Sequence, residues 1–195
     1  GQGYPPTHYA EPEYTQRKTP QENYVYVHDS VFQRCSSSSS GGALYCGSSV
    51  YKLLIEQTSF LSCKTSDIEG GGIYFYNTGS GECVLNRVCG FNCSSTNSSV
   101  NNGQFAHIRI KNDVTYKNHV NDSSITHSSK ESTQQYYTLF MTSGNILCPS
   151  VNLTNNEIYS CPAICCNPTV NSTSNTCCIS YSSFVNNTAN GGDGC

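Results

Sequence analysis

The sequence has no tryptophan, a single methionine, and only 12% charged residues. Leucine and alanine are sparse, which removes the residues that sustain long helices. No apolar run approaches the roughly 18 residues of a membrane-spanning helix. A net charge of −3 and an isoelectric point near 5.9 leave no electrostatic footprint for nucleic acid. Arg109 with Lys111 is the most basic short site, and it is too small to change that. The chain opens Gly1-Gln2-Gly3 with neither Met nor an apolar leader, so it reads as a processed or fragmentary mature chain.

What is present instead is Ser, Thr, Asn and Gly, with 14 Tyr and 13 Cys among 195 residues. That mixture suits strands and turns, and the length suffices for a core. An all-β chain is expected.

The cysteine density points to an oxidising compartment, hence to a secreted or cell-surface protein. Cys35, Cys46, Cys63, Cys83, Cys89, Cys93, Cys148, Cys161, Cys165, Cys166, Cys177, Cys178 and Cys195 are all candidates for disulfides, and the odd count leaves one over. The C-terminal group from Cys161 to Cys178 also raises zinc. Structural zinc sites use paired C-x₂₋₄-C knuckles, often with His, whereas this group offers one such knuckle, two vicinal pairs and no nearby His. Disulfides are therefore favoured, and no metal or cofactor is expected. N-glycosylation signals begin at Asn92, Asn97, Asn121, Asn152, Asn171 and Asn186, while Pro168 excludes Asn167. In a chain this rich in Asn, Ser and Thr, that number barely exceeds chance. The sequons fit a glycoprotein without demanding one.

Internal repetition carries more information. "SVFQRCSSSSSGGALYC" from Ser30 aligns with "TSFLSCKTSDIEGGGIYFY" from Thr58. Each has a small residue, Phe, two residues, Cys, a polar stretch, glycines and an apolar strand. "SSFVNNTANGG" from Ser182 repeats the form with Asn187 in the Cys position. Weaker copies start near Cys89 and Ile158. Taking Phe32, Phe60, Cys89, Ile158 and Phe184 as equivalent gives spacings of 28, 29, 69 and 26, and the long gap has room for two or three irregular units. A leucine ladder is missing and propeller blades are longer, so neither of those repeat folds applies. A right-handed parallel β-helix of about five to six irregular coils fits, with Phe, Cys and Asn stacked as interior ladders.

The motifs Gly41-Gly42-Ala43-Leu44, Gly71-Gly72-Ile73-Tyr74 and Phe184-Val185-Asn186-Asn187 resemble the paired "GGAI" and "FxxN" repeats of the polymorphic outer-membrane protein family. That resemblance implies a pectate-lyase-like β-helix. Cys35 and Cys63 stand where the family has Asn, which makes this a cysteine-rich variant.

Residues 1 to 22 are set apart by Pro5, Pro6, Pro12 and Pro20 with Tyr4, Tyr9 and Tyr14. They read as an extended arm, either a loose tail or an assembly arm with the tyrosines as anchors on another subunit. Residues 23 to 195 form the β-helix domain, with a polar loop insertion near 112–135. At the far end, Gly192-Asp193-Gly194-Cys195 stops where a strand is due, so either the true chain continues or another subunit supplies the next coil.

Polysaccharide-active enzymes also use β-helices, so residues must decide. Arg109-Ile110-Lys111 matches a tripeptide of polygalacturonases, but the paired carboxylates that their acid–base chemistry requires are missing. Two solvated cations on a strand are the simpler reading. His8, His28, His107, His119 and His127 are scattered, no Gly-x-Ser-x-Gly elbow occurs, and the aspartates are isolated. The expectation is a non-enzymatic extracellular structural glycoprotein, a subunit of a surface fibre or coat assembled end to end, with copies of itself (head-to-tail) or other surface glycoproteins as partners. An adhesin recognising a host protein or glycan is the alternative, and a divergent polysaccharide-active enzyme ranks below both.

Overall fold

A computed structural model describes residues 7–67, 69–96, 101–128, 135–167 and 177–191. Among them there is no helix, and every strand pairing is parallel. The chain winds as a parallel β-solenoid, with five complete turns between a partial turn at each end. Each turn supplies one strand to each of three main sheets of seven, six and five strands, with shorter pairings at the corners.

The seven-stranded sheet contains Thr7–Tyr9, Tyr24–His28, Lys52–Glu56, Glu82–Asn86, Lys117–Asn121, Asn145–Pro149 and Cys177–Ser180. Alternation decides its faces: Val25, Val27, Leu53, Ile55, Cys83 and Leu85 point inward and are buried, while their neighbours are half-exposed. A sharp corner follows each of the last six strands. Asp29, Gln57, Arg87, Asp122, Ser150 and Tyr181 all take left-handed φ between 45° and 56° there. A hydroxyl two residues after the strand pins that corner. Ser30, Thr58, Ser123 and Ser182 donate to the carbonyls of His28, Glu56, Asn121 and Ser180, at 2.7, 2.7, 2.6 and 3.0 Å. Where Val88 and Val151 hold that position, their N–H groups donate to the hydroxyls of Ser123 and Ser182 in the next turn, each at 3.0 Å.

The six-stranded sheet holds the repeat's aromatic column. Phe32 pairs with Phe60 in register, and their rings stack at 4.9 Å with 7° between planes. The column continues through Gly90, Ile125, Leu153 and Phe184. Phe184 thus occupies the expected position, but Cys89 and Ile158 do not. Cys89 pairs with Ser59 and is exposed, one residue out of phase, and Ile158 lies past the next corner against Ala189. Both errors have one cause. The true rungs are Gly and Leu, so a search for aromatic or β-branched residues passes them over. Gly90 leaves room that Phe105 fills from the five-stranded side, edge-on to Phe60 at 5.8 Å. A Cβ on Gly90 would meet that ring at 2.7 Å.

Three residues beyond each rung, the Cys/Asn equivalence has a common geometry. The thiols of Cys35, Cys63 and Cys93 donate to the carbonyls of Tyr14, Phe32 and Phe60 in the turn before, at 3.3, 3.4 and 3.4 Å. Asn156 and Asn187 donate through Nδ2 to Ile125 and Leu153 in the same way, at 3.2 and 2.7 Å. Either side chain gives a buried carbonyl of the turn before a side-chain donor, as at Tyr14, whose carbonyl also accepts from the backbone N–H of Gln33 at 2.8 Å.

The Gly-Gly pairs turn the chain into the five-stranded sheet of Leu44–Cys46, Ile73–Tyr76, Ala106–Arg109, Leu139–Thr142 and Ile164–Asn167. Gly41 and Gly70 have φ of 75° and 65°, and a Cβ on Gly42 or Gly71 would collide with the backbone of the turn stacked upon it. One glycine makes the corner and the other permits stacking.

Two expected domain features are revised. The N-terminal arm is extended, but it lies on its own solenoid as a partial first turn. Thr7–Tyr9 pairs with Tyr24–His28, Tyr14 bridges Phe32, and Lys18 bridges Leu44. Tyr14 is only 4% exposed because it stacks on Phe32 at 4.8 Å, and Tyr9 packs edge-on to it at 6.1 Å. Tyr4 lies outside the described residues. The polar run 112–135 is not one insertion either: Lys117–Asn121 and Ser124–Thr126 are regular rungs of two sheets. Their inward residues, Asn118, Val120 and Ile125, are buried, and Asn118 meets the core requirement by donating to the carbonyls of Thr142 and Ser143.

Candidate functional site

The feature that departs from this regular stack is its last described turn, made of Cys177–Ser180, Ser183–Val185 and Thr188–Ala189. Each strand is hydrogen-bonded on one side to the turn before it and lies at the end of its sheet. Phe184 belongs to the column in which Phe32 and Phe60 are fully buried, yet it is 44% exposed. Ile179 and Val185 are exposed to a similar degree, and Tyr181, on a left-handed corner, is 94% exposed. Apolar side chains and strand edges with no further strand among the described residues thus share one surface.

A second surface lies along the outside of the seven-stranded sheet. Tyr26, Leu54 and Val84 form an outward apolar row in register, and a shallow groove of about 480 Å³ runs over them beside Tyr24, Lys52 and Lys117. Lys52 pairs with Glu82 at 3.4 Å on one rim. On the other, Tyr26 Oη and Asn86 Nδ2 donate to Glu56 at 2.7 and 3.1 Å, and these bonds hold its carboxyl below the usual range. His119 continues the row, and its burial, with Lys117 nearby, lowers its pKa.

The outward face of the five-stranded sheet carries a ring stack of Tyr45, Tyr74, His107 and Phe140, at successive spacings of 5.2, 5.3 and 4.8 Å. Arg17 covers its first ring at 4.8 Å from the centroid. Glu69 lies beside the stack, 3.4 Å from His107, and burial raises its pKa. The rings follow one another along the solenoid, tilted by 34° and 42° on either side of His107, which they bury.

The cations weighed for substrate binding are not paired toward a common point. Arg109 stacks on Tyr76 at 5.5 Å, and Lys111 sits over Tyr116 at 4.7 Å. Among the described residues, no group of three or more His, Cys, Asp or Glu is arranged to hold a metal ion.

The sequons separate by access. Asn152 and Asn186 are exposed, whereas Asn92 and Asn121 are half-buried. Asn92 donates to Ser62 Oγ at 3.2 Å and is followed by the buried Cys93 and Ser94. Asn97 and Asn171 lie outside the described residues. Eleven of the cysteines carry free thiols, Cys161 is in a disulfide, and Cys195 lies outside the described residues. The interior thiols Cys35, Cys46, Cys63 and Cys83 have raised pKa values. Burial is the main cause at Cys46 and Cys83, and bonding to the neighbouring thiol is the first cause at Cys35. They pack as small apolar residues with a weak donor.

Sequence reasoning missed the hydroxyl-pinned corners, although Ser30, Thr58, Ser123 and Ser182 were a visible signal two residues after each strand. It expects an edge at the C-terminal end without singling out Phe184 and the corner residue Tyr181 as the exposed apolar groups there. No protein-family model matches the chain, and no curated protein or solved structure matches it either.

Proposed function

We propose that this chain is a non-enzymatic structural element of an extracellular coat or cell surface, a rigid β-solenoid that joins a second copy end to end through its last described turn. The observation that carries this reading is Phe184, a core-column residue 44% exposed beside the 94% exposed Tyr181. Docking of another copy returns Phe184 to the environment that Phe32 and Phe60 already have. At roughly 25 cal/mol per Å² of apolar surface, a few such side chains supply several kcal/mol of gross burial before the costs of association. Cysteine density and sequons support an oxidising, extracellular setting, with glycans on the exposed Asn152 and Asn186. The motif resemblance to polymorphic outer-membrane proteins points the same way, since the Gly-Gly and Phe-x-x-Asn/Cys elements here serve as corner and rung.

Sedimentation velocity on the chain and on a Tyr181→Ser/Phe184→Ser variant tests the reading. The chain should sediment as a multiple of its 21.2 kDa mass, and the variant, altered only at exposed side chains, as a folded monomer. A monomeric parent chain at high micromolar concentration would overturn it. The groove over Tyr26, Leu54 and Val84 favours a second reading, an adhesive face for a partner protein.

A further inference from the structure

Three thiols from different strands meet inside the last turns. Cys166 ends the inward row of the five-stranded sheet, in register with Met141. Cys177 opens the final strand of the seven-stranded sheet, in register with Ile146, and Cys148 lies in the strand before it. The Cys166 thiol is within hydrogen-bonding reach of both Cys148 and Cys177. Their vicinal neighbours differ: Cys165 lies next along its strand, within hydrogen-bonding reach of Tyr137, and Cys178 is exposed.

We propose that Cys166 and Cys177 form a disulfide that staples the last described turn to the turn beneath it. Three observations select this pair. These sulfurs come from two different sheets across a corner, so their Cβ atoms approach from separate strands, as a disulfide requires. By contrast Cys35, Cys63 and Cys93 stand side by side in one column, fully buried, with each thiol directed to a carbonyl. Cys148, the rival partner, is also fully buried, and its thiol is engaged with Met141 Sδ at 3.5 Å. Cys177 is exposed and open to an oxidant, and Cys166 is half-buried directly behind it.

The oxidant is a small-molecule disulfide. The Cys177 thiolate attacks it, forming a mixed disulfide and expelling one small thiolate, which takes up the proton that Cys177 lost. The Cys166 thiolate then attacks Cys177 Sγ and expels the second small thiolate, protonated likewise. Two protein S–H bonds are lost, one S–S bond forms, and one small disulfide becomes two thiols. Contact with Cys148, with burial, raises the Cys166 pKa to about 12, and contact with Cys166, with burial, raises that of Cys177 further, so both steps are slow at neutral pH and speed up as pH rises.

The test is differential alkylation of the full chain equilibrated with glutathione disulfide, quenched in acid and unfolded before labelling, with sites located by tandem mass spectrometry. Cys166 and Cys177 should be protected to the same extent and released together by reductant, while Cys35, Cys63 and Cys93 stay labelled. Cys177→Ser should make Cys166 fully alkylatable, and Cys148→Ser should leave the crosslink in place. A labelled Cys166 in the oxidised chain overturns the proposal. So does a Cys166 that remains protected in the Cys177→Ser chain, since its partner is then Cys148 or Cys165.

Discussion

The two ends of the solenoid are built from the same column and finished differently. At the N-terminal end, Tyr14 stacks on Phe32, and Lys18 sits over its ring at 4.5 Å with Tyr9 at its edge. Pro12, which has no N–H to offer, lies in that partial turn and uses its carbonyl to accept from Val31 at 3.2 Å. At the C-terminal end of the described residues, Phe184 and Val185 are exposed, with Ile179 and Tyr181 on the same turn. A cationic side chain over an aromatic ring closes a column, whereas a bare aromatic leaves it open. Under the proposed assembly, association is concentrated at one end. Contacts through that end alone pair two copies tail to tail and close, whereas a fibre needs a receptive surface at the other end as well.

The comparison can be broken most forcefully in the column itself. Phe60→Ala removes a fully buried ring stacked at 4.9 Å on Phe32, and should cost about 3–5 kcal/mol in a urea melt. Phe184→Ala, the same change at the open end, should cost about 1 kcal/mol or less in dilute protein, where nothing packs on it. Equal costs would mean that Phe184 is as enclosed as Phe60. A smaller effect is expected at the covered end. Lys18→Ala uncovers the Tyr14 ring and should lower stability by about 0.5–1 kcal/mol, and it should raise the tendency to associate through that end. Unchanged association would show that Lys18 does not close the column.

The smallest effect concerns pH. Tyr26 and Asn86 hold the Glu56 carboxyl below the usual range in the fold, so its contribution is fully present above the unfolded value of about 4.3. It is lost as pH falls through the lower folded value. Tyr26→Phe should therefore lower neutral stability slightly and leave stability below the folded Glu56 value less changed, which flattens the acid limb, by an amount limited by solvent screening at this site.

How much of this was legible in sequence depends on what each position must do. Phe32, Phe60 and Phe184 could be aligned because a buried rung is large and its spacing is nearly regular. The substitution of Asn for Cys could be read because both donate to a carbonyl in the turn before. Gly90 could not be read as a rung, since its partner Phe105 comes from another sheet and only three-dimensional packing joins them. The sequence leaves Tyr9 and Tyr14 on either a loose tail or an arm for another subunit, whereas in the fold they pack on the first turn of their own chain. The polar run around Lys117–Asn121 hid a strand because Asn118 is buried with its amide satisfied by backbone carbonyls. Cysteine density points to disulfides, yet Cys35, Cys63 and Cys93 act as column residues, each donating to a carbonyl in the turn before.

Hydrogen exchange measured on dilute and concentrated protein tests the central claim most directly. Amides of Cys177–Ser180 and Ser183–Val185 should exchange more slowly as concentration rises, while those of Thr7–Tyr9 stay unchanged. No concentration dependence at the last turn would contradict the account, and so would equal slowing at Thr7–Tyr9.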